Sequence, residues 1–123
     1  MSMSESAVQA LVLAQAQLDA YNTQNLDAFL ACYAEDVIVT RDDGSPPAVG
    51  KAAMRERYGK LFKDFPQNRA ILLGRVHVGP WVFDSEQVIG RGDQALYVVA
   101  QYLVQDGLIR KVNFYSEHPH LPE

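Results

Sequence analysis

Up to Phe65 the apolar positions fall mostly at helical spacing, and beyond Pro66 they fall in long runs rich in Val, Ile, Leu and aromatics. Ala7, Leu11, Ala14, Leu18 and Tyr21 recur at intervals of four and three, which predicts a first helix over about 6–22. Ser6 with Gln9 three positions on has the capping-box pattern. Asn25 caps a second predicted helix over about 25–34, where Leu26, Phe29, Leu30 and Tyr33 follow the i, i+3, i+4, i+7 rule. The intervening Thr23-Gln24 is short enough to fold the two helices into a hairpin. Val37 to Thr40 predicts a strand over about 36–41, and Asp42-Asp43-Gly44-Ser45-Pro46-Pro47 is turn chemistry. A third helix is expected over about 50–65, with Met54, Tyr58, Leu61, Phe62 and Phe65 inward, stopping at Pro66.

Four strands are then expected over about 69–78, 81–91, 94–105 and 108–116, divided by Gly79-Pro80, Gly92-Asp93 and the hairpin signal Asp106-Gly107. Antiparallel strands of this length twist and coil, so the meander is curved. Three amphipathic helices laid across its concave face leave a hollow between the layers. The fold class is therefore α+β, a cone-shaped, cystatin-like arrangement of three N-terminal helices on a strongly curved, mostly antiparallel sheet, with residues 1–123 as one domain. The run Ala95-Leu96-Tyr97-Val98-Val99-Ala100 shows no alternation, which implies cover on both faces. Helices cover one; a second copy of the chain on the convex face, giving a homodimer, is the expectation for the other.

Composition narrows the function classes. With 48% hydrophobic and 21% charged residues the chain is an ordinary globular sequence, and a net charge of -4 provides no basic stripe for nucleic acid. The single Cys32 can form neither an internal disulfide nor a thiolate metal site, and its helical context makes it a buried thiol. The first residues lack the positive start of a signal peptide, and the run from Ala95 to Val104 is much shorter than the roughly 20 residues of a membrane-spanning helix. The expectation is a cytoplasmic protein without nucleic-acid or membrane partners. No phosphate loop or dinucleotide fingerprint occurs, and no cofactor is expected.

Polar residues inside the apolar runs carry the candidate chemistry. A two-residue loop at Gly79-Pro80 sets Val78 against Trp81 and Arg75 against Asp84, with Glu86 diagonal, so that Arg75, His77, Asp84 and Glu86 share one face. A bulge at Gly74 or Gly79 would change that face. Arg75 with Asp84 reads either as catalytic machinery or as a surface salt bridge of about 0.2–1 kcal/mol. His77 reads as a proton-transfer group by its near-neutral pKa, or as a packing residue. His118 and His120 alone make no metal site, and no metal is expected. On the last strand Asn113 and Tyr115 fall on one face, Val112 and Phe114 on the other. Tyr21, Tyr33, Tyr58, Phe62, Phe65 and Trp81 can line an apolar cavity or simply fill the core.

The element order, together with Tyr21-Asn22-Thr23-Gln24-Asn25-Leu26-Asp27-Ala28-Phe29, Tyr33-Ala34-Glu35-Asp36-Val37, Gly50-Lys51-Ala52-Ala53-Met54-Arg55, Trp81-Val82-Phe83-Asp84-Ser85-Glu86 and Asp106-Gly107-Leu108-Ile109, resembles the nuclear transport factor 2-like superfamily in its SnoaL-like, ketosteroid-isomerase-like branch. That resemblance implies the cone, and a host of isomerases, cyclases, dehydratases, epoxide hydrolases and non-catalytic modules. It also places the isomerase tyrosine at Gln17, the base at Arg41 and the oxyanion aspartate at Ala100 or Gln101, so all three are replaced and standard ketosteroid isomerase chemistry is not implied. Two functions stand. One is a cofactor-independent acid-base enzyme on a small apolar substrate. In it His77 and Asp84 transfer protons, Arg75 or Arg41 stabilises charge, Gln101, Asn113 and Tyr115 orient the ligand, and Gln17, Tyr33, Phe62 and Trp81 complete the pocket. The other is a non-catalytic ligand-binding or dimeric assembly module.

Overall fold

Capping chemistry decides where the elements begin and end. A computed structural model describes residues 3–116, with helices α1 (Glu5–Asn22), α2 (Leu26–Leu30) and α3 (Lys51–Asp64) and strands β1 (Tyr33–Arg41), β2 (Ala48–Val49), β3 (Arg69–Val78), β4 (Trp81–Ile89), β5 (Leu96–Gln105) and β6 (Leu108–Ser116). Ser4, not Ser6, caps α1: its extended backbone lets the side chain accept from the Ala7 amide at 3.2 Å. Asn25 caps α2 as expected, accepting from Ala28. That helix is much shorter than 25–34, because from Tyr33 onward the chain is taken into the sheet beside β6, where the Ile109 amide donates to the Cys32 carbonyl at 2.9 Å. Phe65 also departs from expectation; it follows the last helical turn of α3 and is 38% exposed. The short strand β2, paired with β1, was not legible in the turn-rich stretch that precedes α3.

The sheet order is β2-β1-β6-β5-β4-β3, antiparallel except for the parallel pair β1 and β6. The meander of β3 to β6 is as predicted, and β1 closes onto its last strand. At the β5–β6 hairpin Asp106 and Gly107 have φ of 54° and 76°, the two left-handed positions that a tight hairpin turn of matching twist requires. A different glycine fixes the loop after β4. Gly90 has φ of 89°, and a Cβ there would lie 2.1 Å from the Gln67 carbonyl oxygen, so only glycine lets this loop press against the segment leading into β3.

Helices lie on one face of the sheet. Aromatic rings join them: Phe29 of α2 lies 5.0 Å from Tyr33 of β1 and 4.8 Å from Tyr58 of α3, and Tyr21 of α1 lies 5.5 Å from Phe62. Tilted and edge-on contacts of this kind add roughly 0.5–1.5 kcal/mol per pair beyond area burial. Cys32 is buried and free, as its context suggested. The opposite, convex face is open in the single chain: Tyr97, Tyr115, Ile71, Val76 and Val78 are exposed there, so the unalternating run on β5 has helix cover on one side only. No helix among the described residues is long and apolar enough to cross a membrane.

Candidate functional site

Strand register decides which side chains face the helices. Across the sheet, one inward row runs Arg41, Phe114, Ala100, Asp84, Arg75; the next runs Ser116, Val98, Glu86, Leu72; the row on the other side runs Val39, Val112, Tyr102, Val82, His77. A bulge is present, at Leu73 rather than at Gly74 or Gly79, between the pairs Leu72–Glu86 and Gly74–Ser85. It lies beyond Arg75 from the turn, so Arg75, His77, Asp84 and Glu86 do share the concave face. Between these rows and the helices lies a cavity of about 280 Å³, floored by Tyr21, Phe29, Tyr33 and Tyr58 and bordered by Gln17, Glu86, Tyr102, Arg41 and Arg91.

Two inward carboxylates stand two residues apart on β4 and have different surroundings. Asp84 is 0% exposed and is held by a fork of two bonds, from Arg75 Nε at 2.6 Å and Arg75 Nη2 at 2.9 Å. Arg75 Nη1 also donates to Gln15 Oε1 at 2.9 Å, which fastens α1 to the sheet edge. The bonds to Asp84 raise the arginine's own pKa. This pair is buried, not the exposed surface bridge that was one of the readings. Glu86 is 5% exposed, lines the cavity, and has no hydrogen-bond partner among the described residues. Desolvation above all, then repulsion by Asp84, pushes its carboxyl up to about 7, with Arg75 pulling the other way.

A directed hydrogen-bond chain borders the same cavity as Glu86. Gln17, buried on α1, donates from Nε2 to the Ala14 carbonyl at 3.0 Å and to Tyr102 Oη at 3.1 Å, which fixes its amide orientation. Its Oε1 therefore accepts from Tyr33 Oη, at 3.0 Å. Tyr102 acts as acceptor in this chain, and its own O–H proton is left for whatever occupies the cavity. Burial raises the Tyr33 and Tyr102 hydroxyls well above the usual tyrosine range, so both remain neutral donors. A second cluster sits near the β4–β5 loop: Arg91 donates to Asn68 Oδ1 and Tyr21 Oη, both at 2.8 Å, and Asn68 donates to Tyr21 Oη at 2.5 Å. Arg41 lies over the Phe114 ring, 4.8 Å from its centroid.

The expected site residues divide between the two faces. Gln17, Tyr33 and Arg41 border the cavity. Asp84 and Arg75 sit on the same face but are occupied with each other. Phe62 is buried in the aromatic cluster rather than in the cavity wall. His77 is on the correct face yet exposed, at the end of the edge strand β3 and outside the cavity. Gln101, Asn113, Tyr115 and Trp81 do not reach the cavity, because strand alternation turns them to the convex face. There Gln101 accepts from Tyr115 Oη at 2.9 Å and from Asn113 at 3.3 Å, and Thr40 joins Asn113. Ala100, not Gln101, is the inward residue at the position of the oxyanion aspartate, and on β6 Phe114 faces inward while Tyr115 does not. His118 and His120 lie outside the described residues; among those described, no group of three His, Cys, Asp or Glu side chains is placed to hold a metal ion.

Sequence reasoning placed Glu86 correctly but gave it no role, and it passed over Tyr102 and Arg91. The alternation Val82, Asp84, Glu86, Val88 held the signal: two acids at inward positions of one strand, with only one arginine opposite. Tyr102 has the same parity as Ala100 and was readable in the same way.

A family model described as the SnoaL-like domain matches residues 14–112. An uncharacterised cystatin-fold protein from Novosphingobium aromaticivorans superposes with a TM-score of 0.80 at 26% identity, covering 92% of this chain and 98% of its own. A candidate ketosteroid isomerase from Kribbella flavida gives 0.83 at 24% identity, covering 96% and 84%. An epoxide hydrolase of the LEH-like type from M. tuberculosis gives 0.79 at 16% identity, covering 90% and 84%. No curated protein sequence matches the chain.

Proposed function

This chain belongs to the SnoaL-like domain family, and from that premise we propose that it is a cofactor-independent acid-base enzyme acting on a small, largely apolar substrate, with Glu86 as the general base. The neighbouring folds carry isomerases, cyclases and epoxide hydrolases in their descriptions, and all three chemistries move a proton in a closed cavity. The observation that carries the reading is Glu86: a carboxyl on the cavity wall, without a hydrogen-bond partner among the described residues, pushed up to about 7. A base with that pKa is about half ionised at neutral pH, so it is available as a carboxylate while remaining strong enough to take a proton.

Tyr102 supplies the complement. With its oxygen occupied by Gln17, its O–H is directed at a substrate oxygen, where it stabilises negative charge as the proton leaves carbon or water. The donor thus comes from β5 one inward position from Ala100, the site where the resemblance had an aspartate, and the base comes from β4. Gln17 and Tyr33 are positioning residues, holding Tyr102 in one rotamer. Asp84 and Arg75 act on the site by charge: the first raises Glu86, the second restrains it.

The test is turnover of a panel of cyclic enones, epoxides and β-hydroxy ketones by the wild type, Glu86→Gln and Tyr102→Phe. Loss of about 10² or more in kcat in either variant, with the melting temperature retained, is the expected result for a substrate that is turned over. A substrate processed equally by Glu86→Gln removes Glu86 as the base, and a panel of which nothing is turned over favours a binding module.

The convex face has a separate proposed role. Ile71, Val76, Val78, Tyr97 and Tyr115 expose apolar surface on one side of the sheet, and a second copy of the chain is the occupant we favour. Light scattering at micromolar concentration should give twice the 13.7 kDa of one chain; a monomeric mass contradicts it.

A further inference from the structure

The geometry points to an anionic head group on the cavity's ligand, an oxyanion such as a carboxylate or phosphate gripped by Arg41 and Arg91 at the mouth while the apolar body lies inside. This inference rests on the reading of the cavity as a ligand site, and it is independent of whether Glu86 catalyses anything.

Charge distribution is the first ground. The chain is acidic overall, with a net charge of -4, yet Arg41 and Arg91 border both the cavity and an outer groove that also holds Arg57. Among the described residues, the ion pairs involve Arg55, Lys60, Arg75 and Arg110, and none involves Arg41, Arg57 or Arg91. Three guanidinium groups thus converge on one opening without a salt bridge among the described residues, Asp43 acting on Arg41 through its charge alone. Lys60, the other cation of that groove, is occupied by Asp64 at 2.7 Å.

Positioning is the second ground. Each arginine is held by something other than an acid. Arg41 lies over Phe114, whose ring also borders the cavity. Arg91 is fixed by Asn68 and Tyr21 on a loop that Gly90 presses against the chain before β3. Arg57 donates through Nη2 to the Pro46 carbonyl at 3.1 Å, and its Nη1 is buried without a partner. Tyr58 borders the cavity and the groove together and interacts electrostatically with all three arginines. Its hydroxyl, pushed up to about 12 by burial, stays protonated. A neutral O–H and two oriented guanidinium forks make a donor set suited to oxyanions, which guanidinium binds through paired N–H bonds.

The arrangement also orders the ligand. Arg41 is on β1 and Glu86 on β4, with β6 and β5 between them, a lateral separation of about 14 Å at the usual strand spacing. A molecule anchored by its charged end at Arg41 and Arg91 therefore presents its far, apolar end to Glu86. The substrate class is an amphipathic small acid, whose apolar end can carry the enone, epoxide or ketone that Glu86 would act on.

Calorimetric titration of the full chain with 2-naphthoate, 2-naphthyl phosphate and the neutral 2-naphthalenemethanol tests this. At least one of the two anions should bind tenfold or more tightly than the alcohol, and the tighter of them identifies the head group. Arg41→Gln should remove most of that advantage and leave the alcohol's affinity within twofold, which also reports that the cavity is intact; Arg91→Gln should do the same. Glu86→Gln should keep the advantage, so failure of the catalytic reading and failure of this one are separable. Equal affinity for acid and alcohol, an advantage that survives both arginine substitutions, or no binding of either anion at millimolar concentration would overturn it.

Discussion

Asp84 and Glu86 have the same chemistry, the same strand and the same facing, and their surroundings separate them. Toward the sheet edge, Asp84 meets the guanidinium fork of Arg75 and is fully satisfied. One row along, Glu86 meets Leu72 and Val98 as cross-strand neighbours, and neither side chain can hydrogen-bond to it. The difference teaches that burial of a carboxylate on a cavity wall does not by itself mark a reactive group. Burial with a bidentate partner fixes a charge in place. Burial without one leaves a proton that can come and go.

Breaking the Asp84 side of the contrast should have the largest effect. Arg75→Met strands a fully buried carboxylate and should cost about 3–5 kcal/mol in urea unfolding at pH 7. A cost under 1 kcal/mol would mean that Asp84 is no more committed to its partner than Glu86 is.

The Glu86 side should respond with the opposite sign. Its folded-state pKa of about 7 stands above the ordinary 4.5, so between those values the folded chain holds a proton that the unfolded chain has released. The group's stability contribution is full below about pH 4.5 and is lost as pH rises through 7. Glu86→Gln, which cannot ionise, should therefore be more stable than wild type at pH 8, on the order of 3 kcal/mol at roughly 1.4 kcal/mol per pKa unit. The gain should shrink toward zero by pH 4.5. A variant that is less stable than wild type at pH 8 would reverse the assignment.

The smallest effect belongs to His77. Exposed at the end of β3, it should tolerate His77→Gln with a change within roughly 0.5 kcal/mol and no change in ligand affinity. A large loss of either would return it to the site.

These contrasts also mark how far the sequence could be read. Helical spacing in α1 and α3, the Asn25 cap and the Gly79-Pro80 and Asp106-Gly107 turns are local signals, and each led to the observed element. Register then followed from the turn, so Arg75 opposite Asp84 was legible before any coordinates. What failed was non-local. Tyr33 looks helical by spacing but is claimed by β6, more than seventy residues later in the chain, through the parallel pairing that local pattern does not encode. Which face of β5 and β6 looks inward depends on the same long-range closure, and Gln101, Asn113 and Tyr115 were assigned to the wrong side for that reason. His77 attracted attention by its intrinsic pKa, whereas Glu86, unremarkable in isolation, gains its character from desolvation that only the packed helices create.

The central claim is that Glu86 carries a titratable proton near neutrality, and carboxyl-carbon NMR of protein labelled with δ-13C glutamate tests it most directly. Titration from pH 3 to 9 should give a glutamate resonance with a midpoint about 7 that is missing from Glu86→Gln. A spectrum in which the resonance lost on substitution has its midpoint at the ordinary glutamate value, about 4.3, would contradict the account.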